Sequence, residues 1–376
     1  MNDRNLRDKH YRPSFSLQLM QALHLDHLLL VGIGMLIIIG LVVLYSAGDQ
    51  SMALLNRQLT RISLALVIML IIAQIPSSTL RSWSPWIYSA GVVLLVLVLV
   101  MGDVGKGAQR WLDLGFVRFQ PSEMMKLVTP MMIAWYFADK PLPPSSRTLL
   151  IAASLILVPT LLIARQPDLG TALLIFAAGF FVIFLGGMSW RLMIGLTVLG
   201  ASMLPVLWHF MHDYQRTRVL TLLDPQRDPL GAGYHIIQSQ IAIGSGGVYG
   251  RGWLNGSQSH LNFLPEQSTD FIFAVFAEEF GLIGGLILLS IYGFIIIRGL
   301  IIAVQGQDTY ARLLGGSLSL TFFVYLFVNV GMVSGILPVV GVPLPLISYG
   351  GTSMVTLMAA FGMLMSINSH RRLWSK

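Results

Sequence analysis

The 376-residue chain contains no cysteine. Disulfides, thiolate nucleophiles and cysteine-held metal or iron–sulfur centres are therefore excluded. Charge is also scarce. Only 11% of residues are charged and 55% are hydrophobic, whereas a water-soluble domain carries about 25% charged residues. That leaves too little polar surface to cover a soluble globule of this size. No alternating ten-residue strand pattern is present, which excludes a transmembrane barrel. The net charge of +7 comes without a basic run or basic–aromatic interleaving, so anionic lipid, not nucleic acid, is the expected partner of the cations. Residues 1–26 show no apolar core followed by small residues. No cleavable signal peptide is expected, and the first span serves as its own targeting signal.

What is present is a series of apolar runs of about 20 residues, the length that crosses a bilayer core. They predict an all-α fold: one polytopic membrane bundle of about ten transmembrane helices. The expected spans are 27–47, 58–75, 85–101, 121–138, 148–165, 169–187, 190–210, 270–298, 312–336 and 348–368. A large outer loop, 211–269, separates the seventh and eighth, and the tails are 1–26 and 369–376.

An even count puts both termini on one side. That side gathers Arg4, Arg7, Lys9, Arg12, Arg371, Arg372 and Lys376, plus Arg81, Lys140, Arg147, Arg191, Arg298 and Arg312. The positive-inside rule places it in the cytoplasm. The opposite side breaks the bias with Lys106, Arg110, Arg118, Arg165, Arg216, Arg218, Arg227 and Arg251. Nearby aspartates account for some of these as surface pairs; the set as a whole favours an anionic ligand.

Asp270 stands where this long polar loop meets the apolar run Phe271-Ile272-Phe273-Ala274. Two readings stand: a helix N-cap, or a general base or ion-binding carboxylate at the mouth of a membrane helix. Glu278 and Glu279 lie about 12–14 Å deeper along a helix, too far to share a small reacting centre with it. In Gln120-Pro121-Ser122-Glu123-Met124-Met125-Lys126, Glu123 and Lys126 share a helix face. They form an ion pair, or Lys126 meets an anion with Glu123 fixing it. Asp168 in Gln166-Pro167-Asp168-Leu169-Gly170-Thr171 suits the cap of the next helix. Arg216 and Arg218 suit bidentate phosphate contact. His212-Asp213 suggests a metal pair or a dyad only weakly, with no His-x-x-x-His partner.

The glycine cluster Gly244 to Gly252 lacks the Gly-Lys-Ser/Thr of a P-loop and predicts a hinge or a close backbone approach. Before it, Tyr234 to Ile243 has helical apolar spacing and is expected to lie flat on the membrane. Pro338 to Ser353 is apolar and proline-rich, and predicts a re-entrant segment shaping an outer cavity.

Taken in order, several segments resemble one family. They are Lys106-Gly107-Ala108-Gln109-Arg110-Trp111, Phe119 to Glu123, Gln166 to Thr171, Tyr214-Gln215-Arg216, Gly231 to Gly247, Thr269 to Ala274 and Gly335 to Gly351. Together they resemble the SEDS group (shape, elongation, division and sporulation) of bacterial cell-wall polymerases, on its elongation rather than its division branch. The resemblance implies a peptidoglycan glycosyltransferase of the inner membrane acting on lipid II, a disaccharide-peptide on undecaprenyl pyrophosphate. It implies a class B penicillin-binding transpeptidase and other membrane proteins of the elongation complex as partners, and allows Mg²⁺ or Mn²⁺, for which no ligand cluster is visible. Asp270 matches the family's essential aspartate. Arg110, Glu123, Lys126 and Arg216 match polar cavity positions, with Arg118, Arg218 and Asp168 behind them. A lipid-precursor flippase and a scaffold for wall enzymes are the competing classes; neither needs a base at the outer face.

Overall fold

In a computed structural model, residues 25–105, 108–113, 118–211, 213–227, 231–257 and 266–369 are described. Ten helices among them take up the ten expected spans. They are α1 (His27–Ala47), α2 (Met52–Ala73), α3 (Ser77–Met101), α4 (Pro121–Ala138), α5 (Ser146–Ala164), α6 (Leu169–Leu185) and α7 (Trp190–Phe210), and then α10 (Ile272–Val304), α11 (Thr309–Val333) and α12 (Thr352–Ser369). Seven are long and apolar enough to cross a membrane; α6 and Trp190–Met203 of α7 are shorter apolar helices, and α4 carries Glu123 and Lys126. Helices α2 and α3 begin about two turns earlier than the apolar runs suggest. The run is interrupted by Asn56, Arg57 and Gln58 in α2 and by the polar first turns of α3, and α2 is capped by Ser51, whose hydroxyl accepts from Leu54 N.

The helices are not equivalent. In α11 and α12, 72% of the apolar window is buried, against 22–39% in the other five long helices. These two form the centre, so polar side chains on them meet protein instead of lipid. At one end, the Asp26 carboxylate caps α1 through Leu29 N, and receives Arg298 of α10 and Asn368 of α12. One buried carboxylate thus ties three helices together.

Between α3 and α4 the chain forms a small antiparallel sheet, β1 (Asp103–Gly105), β2 (Ala108–Asp113) and β3 (Arg118–Phe119), in that order. Trp111 faces Asp103 and Leu112 faces Phe119. Strands this short carry no readable periodicity. Within the long loop lie α8 (Asp213–Leu223), a turn of 3₁₀ helix (Pro225–Arg227) and α9 (Ala232–Gly246). The helix expected over Tyr234 to Ile243 is present as α9, and one face of it packs on protein. Ile236, Ser239 and Ala242 are buried, and Ser239 Oγ donates to Val333 O at the end of α11 (2.8 Å). Its apolar stripe is used against protein.

Helix α10 breaks at Gly281, where φ is 64° and ψ −164°. The break frees backbone groups that lipid cannot satisfy. The glycine cluster supplies them. Arg251 N and Gly252 N donate to Glu278 O and Glu279 O (3.0 Å each), while Leu282 N and Ile283 N donate to Gly247 O and Val248 O (3.0 and 3.1 Å). This is the close backbone approach that the glycines predicted. Glu278 and Glu279 are both buried and secure the same strap. Glu278 Oε1 accepts from Ser245 and Ser257, and Glu279 Oε1 accepts from Ser46 and Leu254 N.

Candidate active site

Asp270 lies in a turn, half-buried, one residue before the helix cap. The cap position of α10 is Phe271, which makes no side-chain cap bond. What holds Asp270 is backbone stitching. Asn329 Nδ2 of α11 donates to Asp270 O (2.8 Å) and to Val342 O (2.7 Å). Ser348 Oγ donates to Thr269 O (2.6 Å), and Tyr349 N to Ser268 O (2.9 Å). The irregular 334–351 segment, the expected re-entrant element, is thereby sewn to the turn. At Gly341 (φ +76°) an added Cβ would stand 3.5 Å from Asp270 Oδ2, so the carboxylate lies close to the backbone of this segment. The His235 ring stacks on Phe271 at 5.4 Å between centroids.

Lys126 and Glu123 form a buried pair, Nζ to Oε1 at 2.6 Å. Thr356 of α12 donates to the other Glu123 oxygen (3.2 Å), and Lys126 Nζ sits 5.2 Å from the Tyr325 ring centroid. Tyr325 and Asn329 are one turn apart on one face of α11, about 6 Å along its axis. The pair and the Asp270 turn are therefore neighbours on the central helix.

A third group lies under the same re-entrant segment. Asp168 caps α6 through Thr171 N (3.3 Å). It also meets Arg110 Nε (3.5 Å) and Gln120 Nε2 (3.5 Å), while Arg110 Nη2 donates to Pro167 O (2.7 Å). Gly170 lets this corner touch the segment: an added Cβ there would be 2.8 Å from Val340 O. Arg216 is not part of the gathering. It donates to Trp208 O (3.0 Å) and His209 O (2.7 Å) at the C-terminal end of α7. The side chains of Arg118 and Arg218, and Lys106, His212 and the basic tails, lie outside the described residues.

A groove of 570 Å³ opens beside the Glu123 pair, between α2, α3, α4 and α12. Arg61, Gln120, Glu123 and Thr352 line one end, and Ile72, Leu80, Trp83, Met131 and Met363 the other. From Arg61 to Ile72 on α2, and from Gln120 to Met131 on α4, is about 16 Å at 1.5 Å per residue. The groove thus runs about half the hydrocarbon thickness, polar at its head and apolar below. Glu123 faces it, whereas Lys126 lines a separate enclosed space beside Tyr325. Among the described residues no three His, Asp or Glu side chains come together, so they offer no protein cage for the divalent ion the resemblance allows.

Asn329, Ser348, Tyr349 and Arg61 were not singled out from sequence. Two signals were available: an asparagine inside an apolar run, and an arginine, Arg61, inside the expected span 58–75.

Comparison with known proteins agrees with this architecture. The family profile described as "Cell cycle protein", covering FtsW, RodA and SpoVE, matches residues 20–373. The chain is 55% identical to the peptidoglycan glycosyltransferase MrdB of Escherichia coli K12 over 94% of its length and 96% of that protein's. It is similar to a chain of a solved peptidoglycan synthase complex that coordinates polymerization and crosslinking, with TM-score 0.81 and 34% identity over 93% and 98% of the two chains. It is also similar to the crystal structure of the rod-shape-determining protein RodA of Thermus thermophilus, with TM-score 0.69 and 28% identity over 91% and 96%. The chain belongs to the FtsW/RodA/SpoVE family, the SEDS group.

Proposed function

We propose that the chain is a peptidoglycan glycosyltransferase that polymerises lipid II during cell elongation, with Asp270 as its general base. The observation that carries this is a half-buried carboxylate, on a turn stitched through its backbone to α11 and the 334–351 segment, two residues before a membrane helix. Transfer from a lipid pyrophosphate needs a base for the acceptor hydroxyl, cations for the departing diphosphate, and a route for the lipid. The acceptor O–H proton passes to Asp270 as its oxygen attacks the donor's anomeric carbon. The bond from that carbon to the diphosphate breaks, and the diphosphate keeps the electron pair. Diphosphate leaves without a proton, so one carboxylate suffices, unlike the pair of a glycoside hydrolase. Attack from the opposite face inverts the donor carbon.

Arg110 stands under the re-entrant segment and serves the leaving charge. Lys126 acts through Glu123, because its amine is spent on that carboxylate and faces away from the groove. Arg216 steadies the end of α7 and contacts substrate only if that helix end closes over the site. The groove takes an isoprenoid chain, its polar head at the outer surface. Both termini lie in the cytoplasm, and a class B transpeptidase docks from the membrane, within a single integral membrane domain.

The test is polymerisation of lipid II by the purified chain with its transpeptidase. Asp270→Ala is expected to slow glycan formation by about 10²–10⁴-fold. A variant as fast as the parent refutes Asp270 as the base.

A further inference from the structure

A lipid-linked sugar diphosphate has its phosphates between chain and sugar. If the groove takes the chain and Asp270 works at the sugar, the phosphates lie where groove and Asp270 turn meet. Arg61 occupies that junction. It lines the polar end of the groove, and its guanidinium carbon sits 4.3 Å over the Tyr349 ring. Tyr349 N is in turn bonded to Ser268 O, two residues before Asp270. We propose that Arg61 binds the diphosphate of the lipid-linked donor while the isoprenoid chain fills the groove below; this rests on the function proposed above.

Three further observations support it. Ion pairs among the described residues engage Arg81, Arg110, Lys126 and Arg298 with carboxylates, and none engages Arg61. Arg61 is half-buried, and a guanidinium partly withdrawn from water with no carboxylate against it favours an anionic ligand. Stacking fixes the guanidinium by its face and keeps its in-plane N–H donors for the paired contacts that phosphate favours. Gly351 leaves the space beside it open: an added Cβ would be 3.5 Å from Arg61 Nε. The neighbouring Glu123 would repel a diphosphate, but Lys126 neutralises it from behind. Arg61 is thus the cation that the groove itself presents.

The test uses the full chain in lipid nanodiscs with two probes, undecaprenyl diphosphate and the uncharged undecaprenol. Arg61→Gln is expected to weaken the diphosphate at least ten-fold and leave the alcohol unchanged. It should raise KM for lipid II more than it lowers kcat. Arg61→Lys keeps the charge but loses the paired donors, so it falls between. Equal loss of both probes means that Arg61 only shapes the groove, and overturns the proposal. So does a Gln or Lys variant that binds the diphosphate as tightly as the parent. If the parent polymerises lipid II and the variants bind unchanged, this inference alone fails. If the parent binds the diphosphate through Arg61 yet makes no glycan, the proposed activity fails instead.

Discussion

Replacing Lys126 with methionine keeps a long side chain and removes its charge. Glu123 then loses the 2.6 Å contact to Nζ and keeps only Thr356 Oγ1 at 3.2 Å. The two side chains are 5% and 12% exposed. Breaking a buried pair by removing one partner costs about 3–5 kcal/mol, because the other charge is stranded. Glu123 borders the groove, which places the cost at about 3 kcal/mol, the lower end of that range. E123Q/K126M strands no charge and is expected to recover about 2 kcal/mol of it. Unfolding in detergent, followed by tryptophan fluorescence across the four-member cycle, measures the coupling. Polymerisation rates on the same proteins decide the role. If Lys126 acts by neutralising Glu123, the double variant is faster than K126M; if Nζ touches the diphosphate, it stays as slow. A K126M protein as stable as the parent refutes the buried pair outright.

Asn329→Leu strands the carbonyls of Asp270 and Val342, each unmet buried acceptor costing about 1–3 kcal/mol; kcat should fall with KM for lipid II near the parent's, and an unchanged kcat counts against the stitching. Gly281→Ala forces a Cβ into a conformation open to glycine alone and within 2.7 Å of Val248 O. Monodisperse protein should be lost, and parent-like yield and melting would contradict the strap. Burial raises the Asp26 carboxyl, but its bonds to Arg298 and Leu29 N outweigh this and hold it below its ordinary value. Its contribution is therefore whole above the unfolded value of about 3.9 and fades as pH falls through the lower folded one. Asp26→Asn should melt lower than the parent at pH 7, with the gap closing under strong acid. A gap independent of pH would rule the charged clamp out.

The spans were legible because bilayer thickness sets the length of an apolar run, and that length is a property of neighbouring residues. Asp270, Glu123 with Lys126, and Asp168 were legible for the same local reason: carboxylates and amines are rare and costly inside apolar sequence. The resemblance then gave them roles. The break in α10 was not legible. Gly281 sits in an otherwise regular run, and only the strap at 247–252 makes its conformation affordable to the backbone. The packing of Tyr234 to Ile243 against α11 was not legible, because apolar spacing does not say whether lipid or protein covers a face.

Composition and run length alone determined a helical membrane bundle and which rare charged residues stand within or beside its spans. Tertiary structure decided which of those residues meet. It put Asn329, Ser348 and Tyr349 behind Asp270, turned Lys126 away from the groove and Glu123 toward it, left Arg216 at the end of α7, and brought Arg61 from α2 to the mouth. These contacts join residues tens to hundreds of positions apart. In a medium where lipid-facing and protein-facing surfaces are equally apolar, no local pattern records them.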